Sequence, residues 1–326
     1  MTTWQAAIFI GFLGGIAAAY GAEAAILLRA LARAARGREE SGLWTRPAAA
    51  IHALAGIGLL CIAYGYLVEP RWMELSRIDV PTGGLESTSV RLVHISDLHC
   101  GREPLNGPKL PGLINPLNPD IIVFTGDCLD HPAALERFRR ALSGLDAELG
   151  KFAVRGNVDR GPRMPSDLFK GTGFRELDGE SVRLQAGGET LRVAGMASRR
   201  EVTGSRLPEM SGDAFTVFLH HFPGAVEDVA GPKIDLYLSG HTHGGQVALP
   251  FYGALVTLAE HGKKYERGLY RVGSTTMYVN RGVGVENRLG PPVRFLARPE
   301  IAIFDIHPGQ RSSGGQHDAR KPARNP

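Results

Sequence analysis

Three short runs of sequence decide the fold class: VRLVHISDLH (residues 90–99), IIVFTGD (121–127) and KFAVRGN (151–157). Each begins as an apolar run and ends in a turn that carries polar residues, which is typical of a strand buried on both faces. Between them, LPGLINPLNPD (110–120) predicts a helix or irregular crossover, and HPAALERFRRALSGL (131–145) predicts a helix with Asp130 as its N-cap. This β-α-β-α-β alternation predicts parallel strands whose carboxyl ends lie along one edge of a sheet.

The second half of the chain is richer in strand signals. Short runs of β-branched, aromatic and aliphatic residues, bounded by turn residues, indicate further strands. These runs are SVRLQ (181–185), TLRVAGM (190–196), FTVFLHH (215–221), IDLYLSGHTH (234–243), GLYRVG (268–273) and TTMYVNRG (275–282). Residues 307–326 are rich in Gly, Ser and Arg, so we predict that they form a disordered tail.

Two apolar segments precede these strands, at residues 6–28 and 47–68. Each is long enough to cross a hydrocarbon core of about 30 Å as a helix. Tyr64 and Tyr66 near the end of the second segment fit an aromatic belt at the membrane interface. We therefore predict a membrane-embedded two-helix hairpin with a basic loop over residues 1–69.

The loop between the two apolar segments sets the expected orientation. It contains Arg29, Arg33, Arg36, Arg38 and Arg46 against Glu39 and Glu40. The positive-inside rule places such a short basic loop in the cytoplasm, so the domain after Val68 would face outward from the bacterial inner (cytoplasmic) membrane. Glu23 and His52 are either functional groups within the membrane or residues that lie near the interface or inside the hairpin.

Charge and cysteine content narrow the function classes. The formal net charge is +4, and the tail alone carries four basic residues against one acidic residue, a net of +3. Since the body shows no basic patch interleaved with aromatic residues, we do not expect a nucleic-acid partner. The three cysteines, Cys61, Cys100 and Cys128, contain no CxxC pair and one lies in an apolar segment, which excludes a disulfide framework.

Five short blocks place carboxylate, amide and imidazole groups just after strands, where an α/β scaffold can bring side chains to one crevice. This ligand chemistry suits Mn²⁺, Fe or Zn²⁺ better than Ca²⁺, and two such ions about 3.5–4 Å apart would support in-line phosphoryl displacement. The blocks are SDLH (96–99), TGDCLD (125–130), RGNVD (155–159), LHHFPG (219–224) and SGHTHGG (239–245).

These blocks, in this order, resemble the calcineurin-like metallophosphoesterase family over residues 91–305. The chain more specifically resembles the membrane-anchored bacterial branch of this family, which includes UDP-2,3-diacylglucosamine hydrolases. The motifs that carry this resemblance are SGHTHGGQ, GLY, NRGVG and RPEI. The resemblance implies a metal-dependent hydrolase of phosphoric esters or anhydrides. It also implies a four-layer α/β/β/α sandwich over residues 70–306, with two mixed sheets packed face to face, helices outside and two divalent metal ions at the strand ends.

The resemblance also implies a role for each ligand residue. Asp97, His99 and His243 would hold the first metal, Asn157, His221 and His241 the second, and Asp127 would bridge them. We choose His221 over His220 because the family pattern is His-x-Pro, which His221 and Pro223 match. The catalytic residues would be Asp97, Asp127 and Asn157, because they hold the metals that activate the attacking water. Three arginines are candidates for substrate binding: Arg102, Arg160 and Arg288.

One position departs from the family pattern. The family usually has a histidine after the asparagine of the third block, where it helps the leaving group, but here Val158 occupies that place. Because valine cannot donate a proton, either the substrate has a leaving group that needs little help, such as a pyrophosphate, or activity is weakened and the site is a metal-holding binding module. Arg155, Arg160 or Arg102 could instead supply positive charge.

We therefore expect a membrane-anchored dinuclear-metal phosphoesterase that acts on a lipid-linked phosphate. A UDP-2,3-diacylglucosamine-type pyrophosphate fits Val158 but would be made in the cytoplasm, whereas the arginine loop predicts an outward-facing domain. An envelope phospholipid or phosphodiester fits that orientation better. A metal-holding binding protein and a purely structural membrane protein are the alternatives, and metal content and turnover distinguish them.

Overall fold

The computed structural model describes residues 3–38, 43–101, 106–162, 164–197, 207–210, 212, 214–231, 233–257, 259–287 and 291–309. Its first two elements are long helices, α1 (Thr3–Ala34) and α2 (Arg46–Ala63). Helix α2 continues through a π-helical turn (Tyr64–Val68) and a 3₁₀ turn (Glu69–Arg71). Both helices are long and apolar enough to cross a membrane.

The two helices pack antiparallel as a hairpin. Tyr20 Oη donates to the carbonyl of Ala55 at 3.1 Å, and Glu23 Oε2 lies 2.7 Å from His52 Nδ1. The second imidazole nitrogen of His52 lies 2.9 Å from the Leu43 carbonyl. Glu23 and His52 therefore form a polar pair inside the hairpin. At a rise of 1.5 Å per residue, Glu23 lies about 27 Å along α1 from Gln5. This agrees with the interpretation that places them inside the hairpin.

The rest of the described chain forms two six-stranded sheets. The first has the strand order β1-β14-β2-β3-β4-β5, with β1 (Glu74–Thr82), β2 (Val90–Ile95), β3 (Ile121–Thr125), β4 (Gly150–Val154), β5 (Phe174–Glu176) and β14 (Glu300–Pro308). The second has the order β12-β13-β9-β8-β7-β6, with β6 (Glu180–Ala186), β7 (Glu189–Gly195), β8 (Phe215–Leu219), β9 (Leu236–Ser239), β12 (Gly268–Val272) and β13 (Thr275–Val279). A two-stranded ribbon, β10 (Ala248–Leu249) and β11 (Gly253–Ala254), follows β9.

Both sheets are mixed, as predicted. Strands β2, β3, β4 and β5 run parallel, and so do β7, β8, β9 and β13. Antiparallel pairs occur between β14 and β2, between β6 and β7 and between β12 and β13. Because the parallel strands of one sheet share a direction, their carboxyl ends lie along a common edge of that sheet. Side chains that follow these strands can therefore meet at that edge.

The sheets pack face to face through alternate residues of each strand. Leu92 and Val123 of the first sheet and Val217 and Leu238 of the second lie in one fully buried cluster between them. The intervening residues point outward: those of β2 and β3 pack with α3 (Leu110–Ile114) and α4 (Leu135–Ser143). On the second sheet the outer cluster includes the four-residue helix α5 (Val226–Val229). The predicted α/β/β/α layering is confirmed, with a thinner helical layer on the second sheet.

Local details differ from the sequence predictions. The predicted N-cap Asp130 is wrong: a 3₁₀ turn (Pro132–Ala134) precedes α4, and its cap is His131, whose side chain accepts from the Ala133 N–H. Strand β14 extends to Pro308 and so includes the first two residues of the segment predicted as a tail. Residues 310–326 lie outside the described part of the chain. Cys61, Cys100 and Cys128 are free thiols, as expected.

The end of the helical hairpin is bonded directly to the sandwich. The backbone N–H of Arg294 donates to the Gly65 carbonyl at 2.9 Å. The buried carboxylate of Glu69 accepts from the N–H groups of Leu296 and Ala297. Asn106 Nδ2 donates to the Pro70 carbonyl at 2.8 Å. Three of these bonds join the turns after α2 to the loop before β14, and the fourth joins them to the segment that follows β2.

Candidate metal centre

All seven predicted ligands follow the carboxyl ends of parallel strands. Asp97 and His99 follow β2, Asp127 follows β3, Asn157 follows β4, His221 follows β8, and His241 and His243 follow β9. Six of them form two groups whose ligand atoms lie within 4.8 Å of one another: Asp97, His99 and His243, and Asp127, His221 and His241. The seventh, Asn157, has its Oδ1 3.0 Å from Nε2 of His221. The structure therefore brings the whole predicted set together.

Distances within each group suit a bound ion. In the first, His99 Nε2 and His243 Nε2 are 3.0 Å apart, and His243 Nε2 is 3.4 Å from Asp97 Oδ1. In the second, His241 Nδ1 lies 3.2 Å from His221 Nε2. Adjacent ligands on a metal with bonds of about 2.1 Å are about 3.0–3.4 Å apart, so the spacing matches octahedral or tetrahedral coordination. These nitrogen and oxygen donors fit Mn²⁺, Fe or Zn²⁺.

Asp127 belongs to the second group and also lies close to the first. Its Oδ2 is 3.3 Å from His221 Nε2 in the second group and 3.7 Å from His99 Nε2 in the first. Its other oxygen, Oδ1, accepts the backbone N–H of Val158 at 3.1 Å, which fixes the carboxylate plane. A carboxylate in this position can keep two cations close despite their mutual repulsion.

The backbone around the ligands is held in an uncommon conformation. Five of the seven ligand residues have positive φ angles: Asp97 (50°), His99 (44°), Asp127 (56°), His241 (73°) and His243 (53°). Non-glycine residues adopt this region at a cost of about 1–3 kcal/mol, and they persist there when the surrounding structure over-determines them. Here the loops after β2 and β3 are bonded to each other, since Asp97 N–H donates to Gly126 O and His99 N–H donates to Asp127 O. The ligand loops are therefore preorganised by backbone hydrogen bonds.

Hydrogen bonds also select which imidazole nitrogen faces the centre. His99 Nδ1 lies 2.7 Å from Asp130 Oδ1, and His221 Nδ1 lies 2.7 Å from the Thr125 carbonyl. Because these acceptors hold the Nδ1 proton, Nε2 of each ring faces the centre and becomes the coordinating nitrogen when a metal displaces its proton. His241 instead turns Nδ1 toward His221. The protonation pattern required of metal-ligating histidines is thus built into the scaffold at His99 and His221.

The charges at the site attract cations. Burial alone would lower the pKa of His99, but the hydrogen bond to Asp130 and the charge of Asp127 raise it to about 9. Burial likewise opposes a charge on His221, yet Asp127 raises the pKa of that imidazole to about 9. Burial raises the pKa of Asp97 to about 6, whereas His221 outweighs burial at Asp127 and holds its pKa well below the usual range. Divalent cations would satisfy the same carboxylates and displace protons from both imidazoles.

Asp130 is a functional residue that sequence reasoning missed. We expect Asp130→Asn to weaken metal binding about 10–100-fold, because the change removes the carboxylate that fixes and polarises His99 while leaving every ligand in place. Metal titration of the purified protein measures this affinity. Asp167→Asn is the matched control, since Asp167 is exposed and pairs with Arg139 on the surface of the sandwich. Equal affinities for the two variants would contradict the role of Asp130.

Arg294 is a second residue beside the centre, and its contacts are structural. It is fully buried, and its guanidinium donates to the carbonyls of Gly284 and Ala297. Its Nη2 lies 3.1 Å from His243 Nδ1. Since its backbone N–H also bonds to Gly65, Arg294 joins a ligand of the first group to the end of the helical hairpin.

Two other histidines, His94 and His220, have structural positions. His94 is buried in β2 with Nε2 2.8 Å from Thr125 Oγ1, and burial lowers its pKa to about 3. His220 points away from the ligands toward Phe222 and Tyr237, and burial lowers its pKa to about 4. Both are therefore neutral, and neither belongs to the two ligand groups.

The arginine candidates have different positions. Arg155 forms an ion pair with Glu176 at 2.6 Å and donates to the carbonyls of Pro165 and Ser166, so it braces a loop rather than facing a substrate. Arg160 is exposed at the end of a 3₁₀ turn (Val158–Arg160). Arg102 and Arg288 lie outside the described residues.

The two halves of the centre differ in access. Asp97, His99 and His243 are buried, whereas His241 is half-buried and Asn157 is exposed. An incoming phosphate would therefore meet the Asn157 and His241 side first. Val158, directly after Asn157, is buried and presents only its backbone N–H to Asp127.

Comparison with known proteins agrees with this geometry. A family model described as calcineurin-like phosphoesterase matches residues 90–245. An uncharacterised metallophosphoesterase, YkuE of Bacillus subtilis, is 35% identical over 74% of this chain and 89% of its own length. A bovine transmembrane protein with a metallophosphoesterase domain is 31% identical over 78% of this chain and 61% of its own. The UDP-2,3-diacylglucosamine pyrophosphatase LpxG of Chlamydia trachomatis is 24% identical over 73% of this chain and 90% of its own. With paired Asp/His groups that can bind the family's two divalent metals, this chain belongs to the calcineurin-like metallophosphoesterases, hydrolases of phosphate esters.

Proposed function

We propose that this protein is a membrane-anchored hydrolase that cleaves a phosphate ester or anhydride bond in a lipid-linked substrate. The observation that carries the proposal is the position of Asp127, which belongs to the second ligand group and lies 3.7 Å from His99 Nε2 of the first. In this assignment Asp97, His99 and His243 hold one divalent ion, and Asn157, His221 and His241 hold the other. When bound, the ions would supply a hydroxide nucleophile near neutral pH and neutralise charge on the phosphoryl oxygens.

The chain's own residues have three tasks in this reaction. Asp127 keeps the ions close, and the Val158 N–H keeps that carboxylate oriented. Asp130 and the Thr125 carbonyl hold the Nδ1 protons of His99 and His221, so both imidazoles remain ligands. Exposed Asn157 and half-buried His241 border the side on which a phosphate can enter.

The end of the hairpin supports a substrate that resides in the membrane. Gly65 bonds to Arg294 N, and the Arg294 guanidinium reaches His243. Because an arginine side chain spans about 7 Å, His243 lies within about 15 Å of the end of α2. Anchoring the site at this distance from a bilayer raises its effective concentration toward a lipid and does little for a soluble nucleotide.

Val158 supports a substrate with a good leaving group. A phosphate monoester that leaves from an anhydride needs less protonation than an alkoxide. We therefore favour a pyrophosphate of the UDP-2,3-diacylglucosamine type, the class named for the relative LpxG. A screen of anhydride against alkyl-ester substrates, together with metal analysis, tests the proposal. Bound metal without turnover on any substrate would instead support a metal-holding binding protein.

Restoring the family's usual histidine provides a sharper test. We expect Val158→His to raise turnover of alkyl phosphodiesters about 10–100-fold and to leave pyrophosphate turnover nearly unchanged, because a proton donor assists only a poor leaving group. Steady-state kinetics on both substrate classes measures the ratio. Val158→Ala controls for the loss of packing at this buried position. A folded, metallated Val158→His variant without any gain on alkyl esters would contradict the leaving-group argument.

A second candidate follows from the basic loop between α1 and α2. If that loop is cytoplasmic, the sandwich faces outward from the inner membrane, and an envelope phospholipid or phosphodiester becomes the better substrate. A C-terminal reporter that is active only outside the cytoplasm distinguishes the two orientations. An active reporter supports the envelope substrate, and a silent reporter on a stably produced fusion protein rules it out.

A further inference from the structure

The ribbon formed by β10 and β11 carries an unusual residue at its tip. Phe251 is fully exposed, with a relative exposure of 108%, and its φ is 63°. It follows Pro250 in a turn closed by the Tyr252 N–H, which donates to the Leu249 carbonyl at 3.2 Å. Glycine or asparagine normally fills a turn position with positive φ, and an exposed aromatic side chain there gains no burial to offset the strain.

Leu296 repeats this combination beside the ribbon. It has a φ of 54° and is 43% exposed. Its N–H is held by the Glu69 carboxylate at the end of the hairpin. The ribbon and this loop are neighbours, since Val247 pairs with Phe295 and the Ala248 N–H donates to the Phe295 carbonyl. Two exposed apolar side chains are thus displayed by left-handed backbone on adjacent segments.

Contacts to both helices place these segments at the end of the hairpin. On one side, the rings of Tyr64 and Phe295 pack edge to face with centroids 6.1 Å apart. On the other, Lys263 Nζ donates to the Tyr252 carbonyl at 3.1 Å. The neighbouring Gly262 meets α1, because a β-carbon placed on it would lie 3.3 Å from Gln5 Nε2. The ribbon therefore lies between the start of α1 and the end of α2.

Aromatic and cationic residues surround the same region. Lys263 Nζ lies 4.0 Å from the centre of the Tyr252 ring, and the Arg298 guanidinium lies 4.2 Å from that of Trp72. Trp72 and Trp4, at the two helix ends, are exposed. Aromatic rings paired with basic side chains are typical of the layer of lipid head groups.

We propose that Phe251 and Leu296 form a wedge that inserts into the lipid head-group layer beside the helical hairpin. The two helices attach the sandwich near one line on the membrane, and an attachment of that kind still permits tilting about the line. A third contact, offset from it, fixes the tilt and thereby the orientation of the Asn157 and His241 opening to the bilayer surface. This inference rests on the membrane anchoring of the proposed function and is independent of catalysis.

Fluorescence of the full chain in phosphatidylethanolamine–phosphatidylglycerol vesicles tests the wedge without any substrate. Trp4, Trp44 and Trp72 are first replaced by Phe, and Phe251→Trp or Leu296→Trp then supplies a single reporter. We expect lipid brominated near the head group to quench either reporter about twofold or more. Gln185→Trp is the control, because Gln185 is exposed on β6, the edge strand of the second sheet opposite β12. A tryptophan at this position should stay unquenched.

Each outcome decides the matter. Quenching of both introduced tryptophans with a protected control supports insertion in the head-group layer. Emission like that of the control overturns the wedge. Shielding that depends on the protein-to-lipid ratio rather than on bromine assigns the patch to a second copy of the chain and also overturns it. A tryptophan kept at position 44, between the two helices, or introduced by Leu60→Trp on α2 tests the membrane anchoring itself. Quenching at these positions without quenching of Phe251→Trp and Leu296→Trp overturns the wedge alone. If none of the four positions is quenched, membrane anchoring has failed, and the wedge is overturned with it.

Discussion

Asp127→Asn should reduce turnover by about a thousandfold or more, the largest effect that we expect from a single substitution. An amide oxygen can bind one metal, but it lacks the negative charge and the second equivalent oxygen that hold two cations together. In the structure Oδ2 of Asp127 lies 3.3 Å from His221 Nε2 and 3.7 Å from His99 Nε2, so both ligand groups depend on it. The purified variant should contain about one metal ion per chain or less.

Metal content by mass spectrometry and initial rates on a reactive aryl phosphodiester test this expectation together. Asp120→Asn is a matched control, because Asp120 precedes β3 at its opposite end, where its carboxylate accepts the Arg91 N–H at 2.6 Å. That variant should keep two metals and nearly full activity. If Asp127→Asn retained two ions and turned over within about tenfold of the parent, the bridging role would be wrong.

Gly240→Ala should abolish the centre by steric conflict alone. A β-carbon built on Gly240 would lie 2.0 Å from Ser96 Oγ and 2.1 Å from Asp97 Oδ2, far inside van der Waals contact. The carboxylate that belongs to the first ligand group must then move or the β2 and β9 loops must separate. Overpacking of this kind costs about 1–3 kcal/mol or more, and displacement of Asp97 removes a ligand. We expect a lower melting temperature, loss of at least one metal and activity near the detection limit.

The control for this substitution is Gly161→Ala. No atom lies within 4 Å of a β-carbon at Gly161, and its φ of −67° is available to any residue. Its stability should therefore change by less than about 0.5 kcal/mol. Thermal unfolding and metal content of the pair separate a steric effect at the centre from the general effect of removing a glycine. Wild-type metal content in Gly240→Ala would show that the loops yield without disturbing Asp97.

The strand pattern together with the family resemblance was sufficient to predict which residues come together, because each predicted ligand closely follows a buried strand. Apolar runs followed by Asp97 or Asp127 carry a local signal for both the strand and the turn, and parallel topology then brings the turns together. The choice of His221 over His220 depended on the family's His-x-Pro pattern, which His221 and Pro223 match. The position of each of these ligands depends on where a strand ends and in which direction it runs. Both can be predicted from the pattern of apolar and turn residues.

Other features depend on tertiary partners and left no local signal. Asp130 has the sequence position of a helix cap, but His99 competes for its carboxylate, and His131 caps the turn instead. Arg294 has carbonyl partners from several distant segments, so nothing near it in sequence indicates burial. Strand β1 is an edge strand with Glu, Arg and Asp among its residues and a proline at position 81, which masked its alternation.

The location of β14 in the first sheet has a consequence for the order of events during synthesis. This strand lies between β1 and β2, so Glu74 pairs in register with Glu300, and Ala302 with His94. Both N-terminal helices leave the ribosome long before that strand exists, and non-local pairing of this kind forms late. In the membrane-anchored protein that we propose, the hairpin can therefore adopt its topology while the first sheet is still incomplete. The loop before β14, which bonds to Ser96 and Asp97, completes the site only afterwards. In that proposal, the side of the membrane on which the domain lies is determined before the metal centre has formed.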